Sequence, residues 1–119
     1  MTEAQPTRDQ ERAQAAYARA KQAAATTYAE AYKQDCRKLP ALIHHCGLCQ
    51  ALAFYQAKSS GQDSKGQILA DLAMVSKFPE LTTKARTADV QEYQRMTSEA
   101  MACAEWLKRY AEALIKDKV

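Results

Sequence analysis

Glycine and proline are scarce in this chain of 119 residues, with three of each. Few turns can therefore be built on positive backbone angles or on fixed-φ residues, and many short strands are disfavoured. No apolar run approaches the ~18–20 residues that span a bilayer. No charged segment followed by an apolar one opens the chain in the manner of a secretory signal. No glycine-rich phosphate loop is present, and no strand-turn-helix elbow carries a serine nucleophile. The four cysteines, Cys36, Cys46, Cys49 and Cys103, lie within helical patterns. Reduced thiols in a cytoplasmic protein are the expected state.

What is abundant is alanine, glutamine, lysine and glutamate, a helical balance. The reading is an all-α fold: a single-domain bundle of about six helices over residues 1–119, with a long C-terminal helix and residues 1–6 as a frayed tail. The net charge of +3 is uneven. Up to Lys58 there are eight Lys/Arg against five acids, and from Ser59 onward nine of each, so eight less five accounts for the whole excess. A weakly bound anionic partner is permitted by that excess.

Thr7-Arg8-Asp9-Gln10 has the form of a capping box. It predicts a helix over residues 8–24 with an inward stripe of Ala13, Ala16, Tyr17, Ala20 and Ala24. At ~100° per residue, Arg8, Arg12 and Arg19 share an arc of ~40°, about 120° from that stripe. Two readings are open for this arc: a solvated charged face, or a ridge that contacts phosphates. Either way it is expected to be exposed, so that reversing its charges leaves folding intact.

Ala25-Thr26-Thr27 is a weak point, and helix resumes over residues 28–38. Residues 37–58 carry the longest apolar segment. Pro40 predicts a break after Lys38 and a new short helix. Gly47 predicts a positive-φ bend, followed by a helix over residues 48–58. Leu39, Leu42, Ile43, Leu48, Ala51, Leu52 and Tyr55 recur at three-and-four spacing and mark a buried hub. Cys46 and Cys49 have C-x-x-C spacing beside His44 and His45. A structural zinc site draws on two separated ligand pairs, and no second pair exists, so no metal or cofactor is expected.

Residues 59–66 read as a polar loop, 67–78 as a short helix turned by Pro79, and 80–88 as irregular. Asp89, with Glu92 three residues on, caps the last helix. Its seam is Val90, Tyr93, Thr97, Ala100, Ala104, Leu107, Ala111 and Leu114, a helix of about 27 residues. Trp106 lies off this seam, on the side of Arg95 and Arg109. It either packs under another element or anchors a protein partner together with Arg109.

Two stretches now carry a resemblance. KLPALIHHCGLCQALAF and EYQRMTSEAMACAEWLKRYAEALI resemble, in order and spacing, the small subunit of the type III-B CRISPR RNA-guided effector, the Cmr complex. The match runs from Arg8 to Ile115. Family members usually show asparagine and glycine at the bend, where this chain has Cys46 and Cys49 around Gly47 and Leu48. Gln94 stands where a second basic residue is common beside Arg95. The resemblance implies a helical protein without a catalytic site, stacking head to tail with copies of itself. It implies contacts with backbone subunits and with the large multidomain subunit, along the path of the guide RNA–target RNA pair in antiviral defence. Arg8, Arg12, Arg19, Lys38, Lys58 and Arg95 are the candidate RNA contacts. No membrane and no small-molecule substrate are implied. The rival readings are a stand-alone helical adaptor that binds proteins through Trp106, and a small metal or redox protein using Cys46 and Cys49.

Overall fold

Thr7 starts the first helix as its pattern requires. Its hydroxyl accepts the Gln10 backbone N–H at 3.0 Å, and the Gln10 side chain accepts the Thr7 N–H at 2.8 Å. The computed structural model describes residues 4–60 and 63–116. Residues 1–3 of the expected tail and residues 61–62 of the expected loop lie outside that description. The described elements are α1 (Arg8–Ala24), α2 (Ala29–Cys46), α3 (Leu48–Lys58), α4 (Ser64–Ser76), α5 (Leu81–Thr87) and α6 (Val90–Leu114). No strand occurs among the described residues, and none of their helices is long and apolar enough to cross a membrane. All six helices contribute to one cluster of buried residues. α6 is its spine: α1 and α2 pack most extensively on it. The body is a slab of 46 × 44 × 22 Å.

Pro40 breaks nothing. α2 runs through it as one helix of 18 residues. Proline inside a helix costs about 3 kcal/mol through its missing N–H and its ring. Here Cys36, Leu39, Pro40 and Ile43 are all buried on the core side, and burial of such side chains yields roughly 1.5–3 kcal/mol each. Packing outweighs the local penalty. The bend falls at Gly47, with φ 85 and ψ 160, a region that essentially only glycine occupies. Its N–H donates to the Ile43 carbonyl at 2.9 Å and closes α2, and its carbonyl accepts from Ala51 at 3.0 Å and opens α3. Tyr93 of α6 supports the turn, its hydroxyl accepting the Cys49 N–H at 2.9 Å.

Three further boundaries depart from expectation. α4 begins at Ser64 rather than at 67, because Asp63 caps it through the Gly66 N–H at 3.0 Å. The same carboxylate accepts the Ser60 N–H at 2.8 Å, and these bonds hold it well below the usual aspartate range. Residues 81–87, expected to be irregular, form α5, with Leu81 and Ala85 buried one turn apart. The α6 seam is also shifted: Met96 and Cys103 are buried, whereas Val90 is 72% exposed.

Candidate nucleic-acid interface

The three arginines of α1 do not form an exposed ridge. The buried face of that helix is Ala16, Ala20 and Ala23, rotated by roughly 50° from the expected stripe toward the arginines. What draws it round is Glu99 on α6. Arg12 grips Glu99 with Nε to Oε2 at 2.8 Å and Nη2 to Oε1 at 2.6 Å. Arg8 donates to the same carboxylate and to the Val75 carbonyl at 3.0 Å. The Cys103 thiol adds a bond to it at 3.3 Å. Two guanidinium groups and a bidentate geometry make these charge-assisted bonds strong. Arg12 and the other donors hold the Glu99 carboxyl down at about 2, and the carboxylate in turn raises the Arg12 pKa. Arg19 faces the buried Asp71, with Nη1 and Oδ1 4.0 Å apart. Desolvation pushes the Asp71 carboxyl up, against hydrogen bonds from Tyr32 at 2.6 Å and Gln67 at 2.8 Å.

Trp106 is likewise turned toward α1. Its indole N–H donates to Asp9 at 2.9 Å, and its ring stacks on Tyr110 with centroids 5.7 Å apart. Tyr17 meets Tyr110 edge-on at 5.4 Å. Arg109 is exposed nearby. Arg95 is exposed at the start of α6, paired with Glu92 at 2.6 Å and lying over the Phe78 ring at 5.2 Å.

The structure brings Lys38 and Lys58 together. α2 and α3 fold back at Gly47, and α4 closes the third side through Lys65. The three lysines line a cleft of about 240 Å³ with Asp35, Leu42, Phe54 and Tyr55. Asp35 is the single acid lining it. Its carboxylate accepts from Ser64 at 2.6 Å and from Lys65 at 3.1 Å, and its backbone carbonyl takes the Tyr55 hydroxyl at 2.6 Å. Lys65 is therefore partly spent. Lys38 and Lys58 are exposed and form no ion pair among the described residues. Lys58 sets its ammonium 5.8 Å from the Phe54 ring centroid, and that ring is 47% exposed. Three lysines less one aspartate leave the cleft at +2. Lys65 and Phe54 are the members that sequence reasoning missed. Phe54 and Lys58 stand four residues apart, a spacing that puts an aromatic ring and a cation side by side on a helix.

Cys46 is exposed, Cys49 is half-buried, and no cluster of three metal-ligating side chains exists among the described residues. Cys36 and Cys103 are buried, and desolvation pushes the Cys103 thiol up to about 12 and Cys36 still higher.

Comparison with known proteins agrees with this architecture. Residues 8–114 match the family model of the CRISPR-associated protein Cas_Cmr5. The CRISPR system Cmr subunit Cmr5 of Thermus thermophilus is 40% identical over 114 residues, 93% of this chain and 98% of that protein. A crystal structure of a CRISPR-associated Cmr5 family protein from the same organism superposes with a TM-score of 0.88 at 38% identity. It covers 94% of this chain and 100% of that one. An all-α slab with a long last helix, matched over nearly its whole length in sequence and in shape, belongs to the Cmr5 family, the small-subunit family of the type III-B CRISPR Cmr complex.

Proposed function

We propose that the chain is a non-catalytic single-domain small subunit of a cytoplasmic type III-B CRISPR effector in antiviral defence. Copies stack head to tail beside the backbone subunits and reach the large multidomain subunit at one end. Together they line the path along which target RNA pairs with the guide. The observation that carries this reading is the lysine cleft, where Lys38 and Lys58 are exposed and form no ion pair among the described residues. Base pairing reads the target, so the protein need supply only charge and shape. A +2 cleft repeated in each copy does this without tight binding by any single one. Arg109 supplies further exposed charge on α6, whereas Arg95 already has Glu92 as its counterion. Arg8 and Arg12 contribute structure rather than RNA contacts, because Glu99 holds both guanidinium groups against α6.

The absence of catalysis is supported by the state of the buried nucleophiles. Cys36 and Cys103 are kept as thiols by desolvation, whereas reactive cysteines need a lowered pKa and exposure. The adaptor reading loses support from Trp106, whose N–H and ring face are committed to Asp9 and Tyr110.

The test is an effector reconstituted with the Lys38→Glu, Lys58→Glu double variant. Its target-RNA affinity should fall. The plot of log K against log salt should flatten by about 1.4 for two lost single-strand phosphate contacts. Sequence preference should stay fixed. Unchanged affinity and slope would move the RNA path off this face.

A further inference from the structure

Phosphate contact explains the lysines of the cleft but not its aromatic ring. Phe54 and Tyr55 are neighbours on α3, yet Tyr55 is 2% exposed and Phe54 is 47% exposed. The Tyr55 ring completes the core and its hydroxyl is bonded to Asp35, while Phe54 lies beside the opening with Leu42, Lys38 and Lys58. A phenyl ring left in water beside two ammonium groups that have no ion-pair partner among the described residues fits an occupant with both a π-face and a negative charge. A peptide acid supplies the charge without the face. A base-paired duplex supplies phosphates but hides its base faces in the stack. Single-stranded nucleic acid exposes both, and stacking on an aromatic side chain is how proteins hold its bases without reading their sequence. The volume, about 240 Å³, lies below the range of pockets that enclose drug-sized ligands.

We propose that this cleft receives a single unpaired nucleotide of the target RNA, its base against the Phe54 ring and its flanking phosphates between Lys38 and Lys58. This deepens the reading above and rests on it. Lys58 now sits near the ring at 5.8 Å. Its flexible stem lets the ammonium move to a phosphate as the base takes its place. The contact is sequence-tolerant, because every base has a π-face. It also favours a target strand locally unstacked at this position over one that is continuously paired.

The test uses the reconstituted effector and a series of target RNAs, each with one abasic site, stepped through every position. Phe54→Ala should speed target dissociation by at least roughly 5- to 150-fold, the range for loss of one stacked base, and Phe54→Trp should retain slow release. Abasic sites should speed release from the unaltered protein at one position per copy of the chain, and a target abasic at all of those positions should make Phe54→Ala silent; this readout leaves the protein unchanged. 5-Iodouridine at any of those positions should cross-link to Phe54 on illumination. If Phe54→Ala releases target at the normal rate while Lys38→Glu, Lys58→Glu weakens it, the cleft contacts phosphates only and the stacking proposal falls alone. If neither variant has an effect, the RNA-lining reading falls with it. If Phe54→Ala instead releases a neighbouring protein subunit from the effector, the proposal is overturned in favour of a peptide occupant.

Discussion

Two basic regions of this small protein have opposite fates. On the α1–α6 face, Arg8 and Arg12 converge on one carboxylate, and their side chains are 31% and 19% exposed. In the α2–α3–α4 cleft, Lys38 and Lys58 stand in water and form no ion pair among the described residues. The residue types suit their places. Arginine's planar fork is made for a bidentate, half-buried carboxylate, whereas lysine's ammonium is a mobile point charge that remains solvated until an anion arrives. A positive residue is available to a partner only where the fold has not already supplied its counterion.

Reversing the arginines has the largest expected effect. Arg8→Glu with Arg12→Glu would place three carboxylates together on a half-buried face. The expected loss exceeds about 3 kcal/mol, the lower end for breaking a buried pair, and urea denaturation of the isolated chain measures it. A variant as stable as the parent would return these arginines to the surface. Glu99→Ala should cost about 2–3 kcal/mol. The guanidinium groups lose their acceptor, but their partial exposure lets them swing toward water. Gly47→Ala should cost about 1–3 kcal/mol, and the cost is backbone strain. An added Cβ would sit 3.5 Å from the Tyr93 hydroxyl, an ordinary contact. Hydrogen exchange should show loosening on the cleft side, at α2 and α3, before the α1–α6 face.

A smaller effect sharpens the contrast through acid. Glu99 ionises in the folded protein at about 2, lowered chiefly by Arg12, against 4.5 for a free glutamate. A carboxyl with a depressed folded pKa contributes stability that is complete above its unfolded pKa. That contribution is lost as pH falls through the folded value. Stability should therefore decline between about pH 4.5 and pH 2, and Glu99→Gln should flatten that limb. The smallest expected effect on folding belongs to the cleft. Lys38→Glu with Lys58→Glu should shift stability by no more than about 0.5 kcal/mol, seen as an unmoved urea midpoint.

Much of the fold was legible, and the reasons are local. The Thr7 capping box and the Asp89 cap set the starts of α1 and α6, and glycine at position 47 marked the only sharp bend in the hub. What failed depended on distant partners. The break expected at Pro40 ignored the core that holds Cys36, Leu39 and Ile43 on one continuous face. α5 was missed because its one buried pair, Leu81 and Ala85, is too short a signal without the body it packs on. The arginine arc was correctly placed on one side of α1 but wrongly turned to water. An alanine-rich helix has a weakly defined apolar face, and Glu99 stands 87 residues away from Arg12. The cleft was half-seen for the same reason: Lys38 and Lys58 are on the elements that meet at Gly47, but Lys65 comes from α4 across an intervening loop.

The seating of α1 against α6 also sets a timetable for synthesis. Arg8 and Glu99 are separated by 91 positions, and at about 5–20 residues per second the ribosome adds that stretch in roughly 5 to 20 s. Throughout that interval the first helix is made but its counterpart is not. The closure entropy of so long a loop grows only logarithmically with length, so what matters is how α1 survives the wait. Its buried face is alanine, not leucine, and its arginines keep it hydrated. A nascent segment of that kind offers little for chaperones or other unfinished chains to seize, and it can dock last, once Glu99 and Trp106 have cleared the exit tunnel.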